Sequence, residues 1–385
     1  MFCAYFQAGH CRSCSLLDQS CEATLQSRQS LLAGLFPDTR IQAVTPTTAP
    51  AGSRIRARLA VFGTIDRPQF GFLNQQREIA AVPECPLHHP ALNRFLSRMP
   101  DVIASCRLTP WSLADDRGEL KFVVLTCAPE SQKLMVQLVL RSRESVDRIR
   151  RMWSSRGAAD FPEVAVLSVN LQPVRSSALN GQMEIPVSEQ QRLPIAYGTT
   201  TVLYGPQSFI QSNHEVASRL YQTAASVIQQ SDITGLLDLY CGTGAFSLVA
   251  GQPQHQILGV DISADSIAAA RESARIRGLS QARYECCPTG QFPLPITTSG
   301  SAPFSFAPDA VICNPPRRGL DARTCQFLVQ TGADLLLYSS CNPVTLRRDT
   351  DHLAQVYQIE ELHPFDMFPF THHVETLAVM RLRQQ

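Results

Sequence analysis

The sequence lacks a long apolar run, because no stretch approaches the roughly 18 consecutive apolar residues of a membrane-spanning helix. Residues 1–5 also lack the basic leader and apolar core of a secretory signal. The chain has almost no net charge, since 34 Lys and Arg and 33 Asp and Glu leave a balance of +1. Overall charge therefore favours no partner, and a nucleic-acid ligand would need a local basic patch. We expect a cytoplasmic protein.

Internal repeats and low-complexity tails are also absent from the 385 residues, a length that suits two or three domains. Cysteine, by contrast, is abundant. The sequence has 13 cysteines, which is a high number for a protein of a reducing compartment, and an odd number argues against a complete disulfide framework. Some of these cysteines are therefore expected to bind a metal or to take part in a reaction.

Three cysteines stand close together near the N-terminus, and a fourth follows at a distance. Cys3, Cys11 and Cys14 have the spacing C-x7-C-x2-C, and Cys85 precedes a proline. Four thiols can surround structural zinc or an iron–sulfur cluster, and the spacing does not choose between them. Cys21 is near enough in sequence to substitute as a ligand, although we expect it to begin a helix. Unligated thiols in a frayed terminus are the plain alternative.

Arginines form two groups in the N-terminal half. The first group alternates with apolar residues along an extended segment, so that the guanidinium groups share one face: Arg54, Arg56 and Arg58. The second follows two predicted strands and comprises Arg141, Arg143, Arg148, Arg150, Arg151 and Arg156. Either group suits RNA phosphates. The alternatives are an edge strand protected against aggregation and a solvated helix face.

The C-terminal half carries the pattern of a nucleoside-binding sheet. A buried strand, 236–240, leads through the turn C-G-T-G into a helix, and a second strand ends at Asp261. Glycines let a ligand approach the backbone, and a carboxylate at the second strand's tip can accept both hydroxyls of a ribose. A dinucleotide site would require G-x-G-x-x-G, but Ser247 stands at the third glycine position. The order of these features resembles the S-adenosylmethionine-dependent methyltransferases.

Two later strands of the predicted sheet end on chemically useful side chains. The strand 308–314 ends on Asn314, which two prolines and Arg317 follow, and the strand 335–340 ends before Cys341. The carboxyl ends of parallel strands meet at one edge, so both tips should face the crevice that holds the cofactor. The alternative for the cysteine is an ordinary small buried hydrophobe.

A thiol beside a methyl donor suits methylation at carbon 5 of a pyrimidine. That carbon becomes a nucleophile only after addition at carbon 6, and a thiolate is the side chain best able to add there. A base must then remove the carbon-5 proton. We assign Glu375, before the apolar strand 377–382, as this base; an exposed carboxylate at a strand end is the alternative. His372 and His373 are assigned at most substrate contact.

Six motifs together resemble those of the RNA uracil-5-methyltransferases: P-Q-S-F-x-Q-x-N (206–213), D-L-Y-C-G-T-G-x-F (238–246), N-P-P-R-R-G (314–319), Y-S-S-C-N (338–342), F-D-M-F-P (365–369) and H-x-E-T (373–376). The resemblance covers nearly the whole chain. It is strongest to the bacterial 23S ribosomal RNA branch, which makes 5-methyluridine in a hairpin loop. We expect the chain to lack the small N-terminal β-barrel domain of larger members, since it begins at the cysteine motif.

The resemblance implies roles for individual residues. Cys341 would be the nucleophile and Glu375 the base. The contacts to S-adenosylmethionine would come from Gln211, Tyr240, Gly242, Gly244, Asp261 and Asn314. The ligands of a [4Fe-4S] cluster, with a structural or RNA-positioning role, would be Cys3, Cys11, Cys14 and Cys85. One departure is the sequence C-C-P-T at 286–289, where relatives commonly have an acidic residue near the adenine. Another is the aspartate at 261, which replaces the commoner glutamate.

The implied organisation is an α/β protein with a C-terminal Rossmann-like methyltransferase domain and an N-terminal α+β domain carrying the iron–sulfur cluster. The cluster region with a β-rich segment would span 1–90, the RNA-contacting domain continuous with it 91–200, and the methyltransferase domain 201–385. The partner would be 23S ribosomal RNA, and we expect a monomer with no membrane partner. The target uridine would be flipped from a loop, and its neighbouring phosphates would contact Arg54, Arg56, Arg58, Arg141 and Arg143.

Four other functions are open at this stage. An RNA cytosine-5-methyltransferase would need a second cysteine at the tip that instead holds the sequence 315–317, and an amino-group methyltransferase would need an aromatic residue there. A uracil-5-methyltransferase could instead act on tRNA. An iron–sulfur RNA-binding protein with a relic cofactor pocket is the fourth, but intact Cys341, Glu375 and Asp261 argue against a relic.

Overall fold

The computed structural model describes residues 1–73, 79–112, 114–174, 180–289, 296–298 and 304–383. The chain divides into two compact units. The first comprises Met1–Cys14, Ala49–Ile195 and Tyr204–His214, and the second comprises Ser15–Thr48, Ala196–Leu203 and Glu215–Gln385. Residues 15–48 thus belong with the C-terminal half of the chain, and each unit contains a large sheet of its own.

Helices and strands follow one another in both units. The helices are α1 (Ala4–Gln7), α2 (Cys21–Leu35), α3 (Pro90–Leu96), α4 (Met99–Cys106), α5 (Val146–Met152), α6 (Ala158–Asp160), α7 (His214–Gln229), α8 (Ala245–Ala250), α9 (Ala264–Arg277), α10 (Ala322–Thr331) and α11 (Pro343–Leu353), with a π-helical turn over Trp153–Gly157. The strands are β1 (Arg40–Ile41), β2 (Arg56–Gly63), β3 (Pro68–Leu73), β4 (Ile79–Ala81), β5 (Leu120–Cys127), β6 (Leu134–Leu140), β7 (Val164–Leu171), β8 (Met183–Pro186), β9 (Leu193–Tyr197), β10 (Thr200–Tyr204), β11 (Gly235–Leu239), β12 (Gln256–Asp261), β13 (Ala282–Cys286), β14 (Ile296–Thr298), β15 (Phe304–Phe306), β16 (Ala310–Cys313), β17 (Leu335–Ser340), β18 (Tyr357–Phe365) and β19 (Glu375–Leu382). Of the helices in the described ranges, none combines the length and the apolar character that a bilayer crossing requires.

The first unit is organised around a seven-stranded sheet with the order β4-β3-β2-β5-β6-β7-β8. Neighbouring strands are antiparallel except β6 and β7, which are parallel. Residues of α3, α4 and α5 share one core with the sheet, which includes Leu59, Leu125, Leu138 and Ile149. This arrangement confirms the α+β character predicted for this half.

The arginine-rich strand β2 lies inside that sheet, between β3 and β5, and not at an edge. Its arginines alternate with core residues, as predicted. Arg56 donates hydrogen bonds to the backbone carbonyls of Ser208 at 2.7 Å and Pro206 at 3.0 Å. Arg58 donates to the side-chain oxygen of Asn180 at 3.0 Å. These bonds give both arginines a role in the unit's own packing. Nε and Nη2 of Arg58 have no partner among the described residues, and contact of either arginine with RNA phosphates stays a prediction.

The second unit is organised around an eight-stranded sheet with the order β1-β18-β19-β17-β16-β11-β12-β13. The strands from β13 to β17 in this order are parallel to one another, whereas β19 is antiparallel to both β17 and β18. Strands of a parallel sheet are buried on both faces, which explains the nearly continuous apolar runs at 235–239 and 335–338. The five strands predicted for this half are confirmed.

The strand order gathers the candidate residues of this unit at one edge of the sheet. Parallel strands end at the same edge: β11 ends before Tyr240, β12 at Asp261, β16 before Asn314 and β17 before Cys341. Because β19 runs antiparallel to β17, it begins at that edge, and its first residue is Glu375. Residues that are far apart in the sequence thereby meet at one place.

Candidate active site

The candidate nucleophile lies between a buried strand and a helix. Cys341 follows β17 directly, and α11 begins two residues later at Pro343. Asn342 is the N-cap of this helix, because its side-chain oxygen accepts a hydrogen bond from the backbone N–H of Val344 at 3.1 Å. The thiol is partly buried. It thus occupies the tip of a buried parallel strand, as the sequence predicts.

The candidate base is enclosed by protein. Glu375 is only 2% exposed, so the alternative of an exposed carboxylate at a strand end is wrong. Its Oε1 accepts a hydrogen bond from the hydroxyl of Ser339 at 2.6 Å. Burial raises the pKa of Glu375 to about 7, and the hydrogen bond from Ser339 opposes this rise. A carboxylate with such a pKa can exchange protons at neutral pH.

A cation faces the thiol. Burial raises the pKa of Cys341, and the charge of Glu375 raises it further. The positive charge of the Arg317 guanidinium acts in the opposite direction and lowers this pKa. Sequence reasoning missed this role of Arg317, although its place directly after Asn314-Pro315-Pro316 is the signal that could have found it.

A buried arginine holds the segment that precedes the base. Arg28 of α2 forms an ion pair with Asp366 at 2.6 Å, and both side chains are buried. Its second amino group donates to the backbone carbonyls of Phe368 at 2.9 Å and Thr371 at 2.8 Å. These bonds fix the F-D-M-F-P motif and the turn that leads to Glu375.

Two exposed histidines lie in this turn, His372 and His373. Partial burial lowers the pKa of His373, and the charge of Arg317 lowers it further. Their contact with substrate stays a prediction.

The turn between β11 and α8 folds onto the tip of β12. Its backbone is left-handed at Tyr240, Gly242 and Gly244, with φ of 58°, 53° and 77°. A Cβ atom on Gly244 would lie 2.8 Å from the ring of Tyr284, so glycine is required there. The N–H of Gly242 donates to Oδ2 of Asp261 at 3.0 Å. The structure therefore joins the glycine turn and the second-strand carboxylate, as a nucleoside site requires.

A buried carboxylate beneath this turn was not predicted. Asp238 is 1% exposed, and its Oδ2 accepts a hydrogen bond from the N–H of Ser247 at 3.2 Å. Its Oδ1 has no hydrogen-bond partner among the described residues. Burial raises the pKa of Asp238 to about 7. A buried acceptor without a donor fits a ligand that carries an ammonium group, as S-adenosylmethionine does.

Three further residues are predicted to contact the cofactor, and each has different neighbours in the structure. The hydroxyl of Tyr240 lies 3.2 Å from Oγ1 of Thr324, and burial raises its pKa to about 12. Asn314 follows β16, and its N–H donates to the carbonyl of Leu239 at 3.3 Å. Gln211 belongs to the first unit and is 4% exposed. Their contacts with the cofactor stay predictions.

The predicted adenine end of the site carries two cysteines. The N–H of Cys287 donates to the carbonyl of Asp261 at 3.0 Å, and the thiol of Cys286 lies 3.4 Å from the carbonyl of Ile262. Ile262 is 73% exposed, which is unusual for a large apolar side chain. Sequence reasoning missed this isoleucine, which offers an apolar surface beside the ribose carboxylate.

The four candidate cluster ligands all belong to the first unit. Burial raises the pKa of Cys14 to about 11, and the charges of Cys85, Cys11 and Cys3 contribute in the same direction. Among the described residues, however, no group of three or more His, Cys, Asp or Glu is arranged to hold a metal ion. Thiols are the donors that an iron–sulfur cluster requires, but the described residues do not form a ligand set, so the cluster stays a prediction.

The fifth cysteine considered from the sequence has a different place. Cys21 is the first residue of α2, as predicted, and is exposed in the second unit. A substitute role as cluster ligand therefore has no support.

Three comparisons with known proteins agree. Residues 22–285 and 299–383 match the family profile described as tRNA (Uracil-5-)-methyltransferase. The chain is 36% identical over 384 residues to the 23S rRNA (uracil(747)-C(5))-methyltransferase RlmC of Yersinia enterocolitica, with 99% of each chain covered. It is also 36% identical over 395 residues to RlmC of Yersinia pestis (strain Pestoides F), with 100% of each covered.

The fold has a counterpart among solved structures. The crystal structure of Pyrococcus abyssi tRNA (uracil-54, C5)-methyltransferase in complex with S-adenosyl-L-homocysteine matches with a TM-score of 0.78 and 23% identity, covering 95% of this chain and 85% of that one. At this identity the likeness concerns the fold, and it confirms the methyltransferase fold predicted for the chain. Because the family profile and the full-length relatives both extend over nearly all of the sequence, the chain belongs to the tRNA (uracil-5-)-methyltransferase family.

Proposed function

We propose that the protein transfers a methyl group from S-adenosylmethionine to carbon 5 of a uridine in 23S ribosomal RNA, giving 5-methyluridine. Cys341 is the nucleophile and Glu375 is the base. Relatives that match the full length are named 23S rRNA uracil-C5-methyltransferases, which supports this substrate over tRNA.

One observation carries the chemistry. At a single edge of the sheet lie the partly buried thiol of Cys341 and the buried carboxylate of Glu375, and the charges of Glu375 and Arg317 both act on the pKa of this thiol. A thiolate needs the cation while it is forming, and the carboxylate needs a pKa near neutral to accept a proton from carbon. The set Cys341, Arg317 and Glu375 meets both requirements.

The reaction divides into addition, transfer and elimination. The Cys341 thiolate forms a bond to carbon 6 of the uracil, and the electron pair of the carbon 5–carbon 6 double bond moves toward the carbonyl oxygen. Bound S-adenosylmethionine would supply an electrophilic methyl group: the electron pair returns from the carbonyl oxygen to carbon 5, which bonds the methyl carbon as the sulfur–methyl bond breaks and S-adenosylhomocysteine is left. Glu375 then removes the proton from carbon 5, the double bond forms again, and the sulfur of Cys341 leaves as thiolate. Arg317 stabilises the thiolate at the start and at the end.

The cofactor would be held by the β11–α8 turn and its surroundings. The Asp261 carboxylate keeps acceptor capacity for the ribose hydroxyls, since each of its oxygens accepts one described backbone N–H bond. Oδ1 of Asp238 provides an acceptor for the ammonium group. The exposed side chain of Ile262 would cover one face of the adenine. The remaining contacts are those that the family resemblance implies for Gln211, Tyr240, Gly242, Gly244 and Asn314.

RNA binding would use exposed arginines and an exposed aromatic side chain of the first unit. Phe209 is 67% exposed, and such a ring can stack on a base that has left its helix. Arg150 and Arg151 are exposed on α5, whereas Arg141 donates to a backbone carbonyl at 2.7 Å. Phosphate contacts therefore fit Arg150 and Arg151 better than the strand β2. Replacement of both by glutamine should remove one or two phosphate contacts. The plot of the logarithm of RNA affinity against the logarithm of salt concentration should then become less steep, by about 0.9 in slope for each lost contact.

We also propose that Cys3, Cys11, Cys14 and Cys85 hold a [4Fe-4S] cluster with a structural or RNA-positioning role. Their C-x7-C-x2-C spacing with a later Cys-Pro, and their place in one unit, support this proposal. Iron and sulfide analysis of the purified protein tests it: single alanine replacements of these four residues should lower the iron content, whereas Cys21→Ala should not. A cluster that survives each of the four replacements would contradict this ligand set.

The methylation itself is tested by nucleoside mass spectrometry. Unmodified 23S ribosomal RNA is incubated with S-adenosylmethionine and either the wild-type protein, Cys341→Ala or the matched thiol control Cys21→Ala. We expect 5-methyluridine with the wild type and the control, and none with Cys341→Ala. Methylated cytidine or adenosine would refute the proposed product, and methylation of tRNA alone would refute the proposed substrate.

A further inference from the structure

One helix supports both loops that face the reaction. α11 begins immediately after the nucleophile, and the loop after β16 rests on its first turn. The carbonyl of Arg317 accepts hydrogen bonds from the side-chain amide of Asn342 at 3.2 Å and from the hydroxyl of Thr345 at 3.4 Å. The backbone of the cation's loop is thus bonded to the helix that follows Cys341.

A second and stronger attachment lies one and a half turns along that helix. Asp349 is 1% exposed. Its Oδ2 accepts hydrogen bonds from the N–H of Leu320 at 2.8 Å and from the hydroxyl of Tyr338 at 2.6 Å. Its Oδ1 accepts two from the guanidinium of Arg348, at 2.8 and 2.6 Å. This carboxylate therefore joins α11, the strand of the nucleophile and the loop of the cation.

The loop itself fits closely against this carboxylate. Gly319 has a φ of +78°, and a Cβ atom there would collide with Oδ2 of Asp349. Arg348 also donates to the carbonyls of Arg318 at 2.9 Å and Leu320 at 3.3 Å. The segment 317–320 therefore has its position fixed by bonds at both of its ends.

We infer that Asp349 is a positioning residue, which holds the loop after β16 against α11 so that the positive charge of Arg317 stays beside the Cys341 thiol. The interaction between charges weakens with distance, so a shift of Leu320 away from α11 would reduce the effect of Arg317 on the thiol. Two charged groups act on the thiol, Arg317 from this loop and Glu375 from β19. Loss of the first leaves the second unopposed, and the thiol then ionises less readily.

The catalytic meaning of this inference rests on the proposed function, but its test does not. The reaction of Cys341 with iodoacetamide is followed against pH in the full-length protein, and the Cys341 peptide is quantified by mass spectrometry. Only the thiolate reacts, so the profile reports the ionisation of this thiol. In Asp349→Asn we expect a profile displaced to higher pH and a rate at neutral pH about tenfold lower, which corresponds to one pKa unit.

Matched variants separate positioning from general damage. Asp351→Asn removes an exposed carboxylate on the same helix, which pairs with Arg347 at the surface, and should leave the profile unchanged. Arg317→Gln should displace the profile as Asp349→Asn does, and the double variant should add nothing further. The inference would be overturned if the displacements of the two single variants added up in the double variant. It would also be overturned if Asp349→Asn folded and kept the wild-type pH profile of Cys341 alkylation.

If Asp349→Asn does not fold, a milder variant can still test the positioning role of Asp349. Arg348 is about half exposed, and Arg348→Gln removes only part of the attachment. We expect a smaller displacement of the same sign, and a wild-type profile would overturn the inference. Assays of methylation distinguish the two proposals: a wild-type protein that makes no 5-methyluridine but shows these profiles refutes the proposed function and leaves the positioning role intact.

Discussion

Two buried carboxylates near the same strand ends have opposite surroundings. Asp349 accepts four hydrogen bonds, two of them from a guanidinium, and is 1% exposed. Glu375 is 2% exposed, but only one hydrogen bond to it is described, from Ser339. The first carboxylate is satisfied as an anion by the protein, whereas the second is not.

This difference separates a residue that holds structure from one that exchanges a proton. A carboxylate with four donors has its hydrogen-bonding capacity filled by the protein itself and is suited to holding neighbouring segments in place. For Glu375, burial raises the pKa to about 7 although the one hydrogen bond from Ser339 opposes the rise, so its protonated and ionised forms are both populated near neutral pH. The same logic applies to Asp238, whose Oδ1 has no described partner.

The largest effect should follow from removing the basic carboxylate. Glu375→Gln keeps the size of the side chain and its hydrogen bond with Ser339, but it cannot take the carbon-5 proton. We expect turnover to fall about 10³-fold, within the range for general bases, and the Cys341–RNA adduct to accumulate. Gel electrophoresis under denaturing conditions detects this adduct as a slower band. Turnover within tenfold of wild type, without an adduct, would contradict the role of Glu375.

The same substitution should change stability with a defined dependence on pH. The pKa of Glu375 is raised in the folded protein from 4.5 to about 7, so the stability it contributes is present below pH 4.5 and is lost as the pH rises through 7. Glutamine does not ionise, so Glu375→Gln should gain stability over wild type by up to about 3 kcal/mol at pH 8 and by little at pH 4.5. Urea unfolding at both pH values measures this difference in the free energy of unfolding. Asp349→Asn should instead lower the free energy of unfolding at each pH. If both variants were more stable than the wild type, the two carboxylates would not differ in the way proposed.

A smaller loss is expected for the cation. Arg317→Gln removes the positive charge that lowers the pKa of Cys341, and an effect of about one to two pKa units corresponds to a fall in turnover of about 10- to 100-fold. Arg318→Gln is the matched control, since no side-chain hydrogen bond of Arg318 to the thiol is described. Rates measured at saturating S-adenosylmethionine and RNA distinguish a lost chemical step from weaker binding. Equal losses in both variants would show that charge near the RNA matters more than contact with the thiol.

The sequence supports some of this arrangement and not the rest. Apolar runs and glycine turns sufficed to predict β11, β12 and β17, and the residue types at the strand ends sufficed to select Cys341 and Glu375. The partners of those residues could not be predicted, because they depend on pairings across long stretches of chain. Ser339 reaches Glu375 only because β19 is antiparallel to β17.

The arginine strand illustrates the same limit. Alternation along β2 correctly predicted which side chains share a face. It carried no information on what lies against that face, and the structure has the carbonyls of Pro206 and Ser208 there for Arg56. A periodic pattern defines the direction of a side chain, but its role depends on the element packed against it.

The smallest predicted effect concerns the single donor to the base. Ser339→Ala removes the hydrogen bond to Glu375, and because that bond favours the ionised carboxylate, its loss should raise the pKa above 7. A hydrogen bond to a charged group corresponds to about one pKa unit, so the acidic limb of the turnover profile should move upward by about one pH unit, with little change in the maximum. Ser339→Thr retains a hydroxyl and should restore the wild-type limb, whereas Ser340→Ala, one residue along the strand, should not move it. A limb that stays in place in Ser339→Ala would mean that burial alone sets this pKa, and the contrast between one donor and four would then have no kinetic consequence.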